Sequence, residues 1–263
     1  MNRLVLSMAI TSALIVSGCG DSGDDIPPTT KTYQVTVIDG YLNNALVWLD
    51  LNNDGACDAT EPQTRSGAGG VAELDVTNID GLPSDYLLRV QAIAGETIDE
   101  DHPDSPISTG FYLAAPPGVD VVTPLTTLVA ARMDVSPELS LEQATAQVAA
   151  DLGLAESEPG ALLSNYIAQE QGQLMAVAVN LTTIMTDDET GAPEDMLSDA
   201  GEIAQVVNDA YQSLSESFGD EFKPADLIVD IGSDGTVGVT YGVQSSETGL
   251  AWGFGNWDQA NWN

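Results

Sequence analysis

The twelve residues from Asp50 to Glu61, DLNNDGACDATE, are spaced in a way that suits metal chemistry. With Asp50 as position 1, side-chain oxygens fall at positions 1, 3, 5, 9 and 12, on Asp50, Asn52, Asp54, Asp58 and Glu61, with Gly55 at 6 and the Ala56 carbonyl at 7. Alternate residues of a curled loop point at one centre, glycine supplies the sharp turn, and a glutamate is long enough to reach back and bind through both oxygens. Carboxylate, amide and carbonyl oxygens are hard donors, so the ion expected is calcium. An Asx-rich turn closing a hairpin is the plainer alternative, yet a turn does not need acids or amides at all five positions. The four carboxylates of the loop repel one another when no cation is bound, so the calcium-free loop is expected to be looser. Cys57, at position 8, where an apolar side chain usually packs inward, reads as a buried structural thiol.

Other candidate residues carry less. The stretch Glu96 to Ser108, ETIDEDHPDSPIS, offers Asp99, Glu100, Asp101 and Asp104 to a second cation, although a solvated acidic loop has the same composition. His102 lies within it, alone, with no cysteine or second histidine to complete a zinc site. The tail WGFGNWDQANWN places Trp252, Trp257 and Trp262 five residues apart; exposed indoles stack on sugars or fill partner pockets, and equally tack a terminal segment onto a domain. Nothing points to catalysis. There is one histidine, no GxSxG elbow, no phosphate-cradling glycine loop and no zinc-ligand cluster, and acidic pairs in so acidic a chain carry no glycosidase signal. The chain is therefore expected not to be an enzyme, a secreted hydrolase being a remote alternative.

Charge narrows the partners. The 263 residues hold 41 acidic against 6 basic side chains, so nucleic acid and anionic membrane surfaces are poor partners, and divalent cations or basic surfaces are good ones. At the amino terminus, Arg3 is followed by the apolar run LVLSMAITSALIV, which reads as a signal peptide over residues 1–18. It ends in Val16-Ser17-Gly18-Cys19, which resembles the lipobox of bacterial lipoproteins. That resemblance implies cleavage before Cys19, acylation of its thiol and attachment to the membrane by lipid. With Gly20 and Asp21 following, the outer membrane of a Gram-negative cell is the address the resemblance favours. Cys57 then has no cysteine to pair with. Residues 19–32 are polar and proline-containing, as expected of a flexible tether.

The elements that must hold the loop follow in order. Residues 33–122 alternate in the manner of strands: Tyr33, Val35 and Val37, then Ala45 to Leu49, Val71 to Val76 and Tyr86 to Ile93, separated by Asp39-Gly40, Asn43-Asn44, Gly67 to Gly70 and Asp80-Gly81. The loop is thus entered from a strand, ALVWLD, and not from a helix. After residue 122 the period changes. Thr123-Pro124 starts a helix, Ser140 to Gln143 is a capping box, and longer helices are expected over Ala161 to Met185 and Asp199 to Phe218. Leu227 to Tyr241 reads as a hairpin turning at Ser233-Asp234-Gly235. The expected class is α+β: an antiparallel β-sandwich with an EF-hand-type calcium loop over 33–122, a helical region over 123–222, a β-hairpin over 223–244 and a tryptophan-rich tail over 245–263.

Asp39-Gly40-Tyr41, the strand ending Val47-Trp48-Leu49-Asp50, the loop, Glu61-Pro62 and the turn into Val71-Ala72-Glu73-Leu74 together resemble the calcium-bearing B-type immunoglobulin-like repeats of bacterial surface adhesins, related in shape to carboxypeptidase-regulatory domains. The resemblance covers about a third of the chain, a single repeat. It implies a calcium-rigidified spacer or adhesive module at a cell surface, with Asp50, Asn52, Asp54, the Ala56 carbonyl, Asp58 and Glu61 on the ion. VVTPLTTLVA resembles a stretch of uncharacterised bacterial lipoproteins, which implies that sandwich and helices travel together. The expected function is a lipid-anchored envelope protein in a structural or adhesive role; the alternative is a lipoprotein that binds a glycan or protein partner through the tail.

Overall fold

A computed structural model describes residues 30–154, 159–185, 193–231 and 237–242. The expected signal peptide, Cys19 and the three tail tryptophans lie outside the described residues. The fold mixes α and β, with strands first and helices after them. The strands up to the first long helix are β1 (Thr32–Val37), β2 (Leu42–Asn43), β3 (Leu46–Asp50), β4 (Gln63–Arg65), β5 (Val71–Asp75), β6 (Leu87–Ala92), β7 (Ile98–Asp99), β8 (Phe111–Ala115) and β9 (Val121–Val122). Then come α1 (Pro124–Val135), α2 (Leu141–Asp151), α3 (Gly172–Leu181) and α4 (Pro193–Phe218), and the hairpin β10 (Leu227–Ile231) and β11 (Val237–Tyr241).

A four-stranded antiparallel sheet runs β4-β3-β6-β8, and a three-stranded one β5-β1-β9. The second sheet is not wholly antiparallel as expected: β1 pairs with β9 in parallel, Thr36 opposite Val121 and Val37 opposite Val122. A parallel pair needs a long connection, and here everything from β2 to β8 supplies it. Alternation decides the faces. Val47 and Leu49 of β3, Leu88 and Val90 of β6 and Leu113 of β8 join Val35, Val37, Ala72 and Leu74 of the other sheet in one buried apolar cluster. That cluster continues without a break into Leu125 and Leu128 of α1, Val148 of α2, Val177 of α3, Ile203 of α4 and Val229 of β10.

Thr123 caps α1: its hydroxyl accepts from the Thr126 amide at 3.0 Å, and Pro124 fills the first turn where no amide is missed. Seven of its twelve residues are buried. The threonines of this helix also serve the sheet. The Thr127 hydroxyl accepts from the Ala114 amide at 2.9 Å and the Thr126 hydroxyl donates to the Ala114 carbonyl at 2.8 Å, so α1 covers the outer edge of β8. Ser140 and Gln143 form the capping box of α2 as the sequence indicates.

The single helix expected over 161–185 is instead broken, only α3 being α-helical. The cause is local. Tyr166 turns fully inward and donates to the Asp39 carbonyl at 3.3 Å, and Glu170 takes a left-handed φ of 54°. Gly172, the first residue of α3, lies tight against its neighbours: a β-carbon there would stand 2.9 Å from both Pro224 Cγ and the Tyr211 hydroxyl. α4 begins six residues before the expected Asp199, at Pro193. On α3, Asn180 is 2 % exposed; its amide donates to Leu227 O at 2.8 Å and its oxygen accepts from Val229 N at 2.6 Å, which fastens β10 to the helix.

Candidate functional site

β3 delivers Asp50 to the start of the loop. Its register against β6 sets Trp48 opposite Arg89 and Asp50 opposite Leu87, so Trp48, Asp50 and Arg89 share the sheet face turned away from Val47 and Leu49. Asp50 is 2 % exposed, and its Oδ2 accepts from Arg89 Nε at 2.6 Å and from the Gly55 amide at 3.0 Å. Its Oδ1 accepts from the Asp54 amide at a longer 3.2 Å. Glu61, 6 % exposed, holds the other end: Oε1 accepts from Leu51 N at 2.7 Å and Oε2 from Asp58 N at 3.1 Å. The first and last acids of the motif therefore meet the backbone of the loop they bracket.

Between them the chain curls through left-handed backbone at Asn53 (φ 58°) and Gly55 (φ 82°). Asn52 donates through one amide group to Asp54 Oδ2 at 2.8 Å and to Asp58 Oδ2 at 3.4 Å. Three of the five predicted side chains are thus gathered, with the partial positive charge of an amide between two carboxylates. Asp54 Oδ1 accepts from the Ala56 amide at 2.9 Å. Ala56 itself is exposed, as are Asn52, Asp54 and Asp58. Cys57 is half-buried and not sunk in the core, and partial burial together with Glu61 and Asp58 raises its thiol above the usual range, which disfavours the reactive thiolate.

The donor types suit a hard cation: carboxylates, one amide oxygen within reach and a backbone carbonyl. Among the described residues, however, no group of three or more His, Cys, Asp or Glu is closed on a common point able to hold a metal ion. In the loop the reason is visible, since every carboxylate already faces an N–H or the Arg89 guanidinium. Arg89 is the residue that sequence reasoning missed. A basic residue in a chain with so few is a signal in itself, but only the β3–β6 register puts it beside Asp50.

The acidic stretch at 96–108 is divided. Glu100 Oε1 accepts from the Gly69 amide at 2.8 Å, while His102 and Asp104 are exposed. The charges of Asp99 and Asp101 act instead on Asp39, a turn residue that the sequence did not offer as a ligand. Burial, then the charges of Asp99 and Asp101, push the Asp39 carboxyl well above the usual range; burial raises Asp99 and Asp101 as well. A separate cleft of about 600 Å³ is lined by Ser164, Gln169, Gln171, Gln173 and Tyr211 among others, all uncharged. No helix among the described residues is long and apolar enough to cross a membrane. No protein-family model, curated protein or solved structure matches the chain.

Proposed function

We propose that the chain is a non-catalytic, lipid-anchored protein of the cell envelope, held through Cys19 to the outer membrane of a Gram-negative cell, in a structural or adhesive role. Its 50–61 loop is a structural calcium site set in a β-sandwich related to the adhesin B-type repeats. The observation that carries the reading is the pinning of the loop: Asp50 and Glu61 are buried at its two ends while Asn52, Asp54 and Asp58 gather between them. A loop drawn in by its own acids places negative charge where a cation lowers repulsion most. The sandwich reading is supported by the two sheets that bury Val35, Val37, Ala72 and Leu74 with Val47, Leu49, Leu88 and Val90 in one cluster. The lipid anchor rests on the Val16-Ser17-Gly18-Cys19 resemblance alone.

At an extracellular-type affinity on the order of 0.1 mM, about 1 mM calcium adds about 1.4 kcal/mol of stability. For a chain of this length that raises the melting temperature by about 3 to 6 °C. Calorimetric titration and thermal melts of the chain, repeated on an Asp50→Ala, Glu61→Ala variant, test it. A variant that keeps the full calcium shift removes the loop from the account. Labelling with radioactive palmitate, lost in Cys19→Ala, tests the anchor.

A further inference from the structure

The turn Asp39-Gly40-Tyr41, directly after β1, meets β7, where Leu42 pairs with Asp99. Asp39 is 7 % exposed, yet its Oδ1 has no hydrogen-bond partner among the described residues. Asp99 is 9 % exposed, and its Oδ1 accepts from the Asp101 amide at 2.9 Å, a turn that carries both carboxylates to one side. Gly40 marks how close they lie: a β-carbon there would run into the Asp99 carboxylate and stand 3.0 Å from the Asp101 carboxyl carbon. None of the ion pairs formed by Arg65, Arg89 and Arg132 involves these acids. Among the described residues, the base facing the cluster is the exposed His102. A buried carboxylate with an orphaned oxygen beside two others is a costly arrangement unless something positive joins them.

We propose that Asp39, Asp99 and Asp101 are the carboxylate ligands of a second site for a hard divalent cation, calcium, which clamps the 39–41 turn to the 98–101 segment. Three anionic oxygens and no soft donor select calcium-type chemistry over zinc or copper. The three groups are neighbours but are not closed on one point. Asp101, exposed at the rim, would have to draw inward for the three carboxylates to share an ion. Tyr166 donates to the Asp39 carbonyl at 3.3 Å and Asn165 to the Tyr41 hydroxyl at 3.1 Å, so the clamp also steadies the strands against the helical half.

Equilibrium dialysis with radioactive calcium counts the ions on the full chain, on Asp39→Asn, and on Asp50→Asn, Glu61→Gln. Asp39→Asn is expected to bind one calcium fewer than the parent and to lose that share of the calcium-induced rise in melting temperature. In chelator it should melt no lower than the parent, because asparagine keeps the shape without the buried charge. If Asp39→Asn fails to fold, Asp99→Asn, Asp101→Asn at the rim replaces it with the same expectation. An unchanged calcium count in whichever of these variants folds overturns the proposal. A count unchanged in Asp50→Asn, Glu61→Gln but reduced in Asp39→Asn would count against the 50–61 loop and leave this site standing.

Discussion

Arg89 sets the electrostatics of the loop before any ion arrives. Its guanidinium, with the side chain 31 % exposed, neutralises an Asp50 side chain that has no exposure at all. Removing it strands a buried carboxylate, which is more damaging than the pair is stabilising. Arg89→Ala is expected to lower stability in chelator by about 2 kcal/mol, less than for a fully buried pair because the guanidinium reaches water. Calcium should then restore more stability to the variant than it adds to the parent, since the ion takes over the neutralising charge. Thermal melts with and without calcium check both, and an equal calcium shift in the two chains would sink the second expectation. This pairing was not legible in the sequence because it depends on a cross-strand register between residues 39 apart. Acid and amide spacing, by contrast, is local: a 12-residue loop writes its donors in order, so Asp50, Asn52, Asp54, Asp58 and Glu61 could be named from the sequence.

Helices and strands were legible where local rules dominate. The Thr123-Pro124 start, the Ser140 capping box and the 227–241 hairpin follow from caps and turns whose partners lie within four residues or in the facing strand. The break before α3 did not, because an apolar stripe from Leu163 to Ile184 has helical period whether or not the backbone stays helical. Tyr166, pulled inward to Asp39 across 127 positions, is a tertiary demand that overrides the pattern. Asn180 belongs to the same class of long-range fastener. Asn180→Ala leaves the Leu227 carbonyl and the Val229 amide buried without partners, and the expected loss is about 2 to 3 kcal/mol. Hydrogen exchange locates it: the Val229 amide should lose most of its protection while the Val47 and Val90 amides of the β3–β6 pair keep theirs. Equal loss throughout would mean that the hairpin is not a separable unit.

For the molecule as a whole, the Asp39 cluster predicts a pH dependence opposite to that of ordinary acid denaturation. Burial raises Asp39, Asp99 and Asp101, so without calcium the folded chain holds protons that the unfolded chain has released. Stability then falls as pH rises from the unfolded carboxylate value of about 3.9 through the folded values, and is regained on acidification over the same window. Glu100, Asp226, Tyr166 and His102 face the cluster as well, and the charge of His102 opposes the rise of Asp99 and Asp101. Among the described residues, Asp75 is the carboxylate shifted the other way, lowered by its hydrogen bonds to Thr77, and it stands in full contact with solvent. Urea melts in chelator should show higher stability at mildly acidic pH than at neutral pH, and Asp39→Asn should flatten that slope. A parent chain most stable at neutral pH in chelator contradicts this.

The threonines that tie α1 to β8 bear on how copies of this protein meet. β8 ends the four-stranded sheet, and such an edge normally offers unpaired amides and carbonyls to any passing strand. Here the Tyr112 amide donates to Met185 O at 2.9 Å, and both backbone groups of Ala114 are taken by Thr126 and Thr127. The opposite edge, β4, is three residues long and ends on Arg65. Neither border of this sheet is built for edge-to-edge pairing, so contacts between copies through the four-stranded sheet would have to be made by its loops and faces.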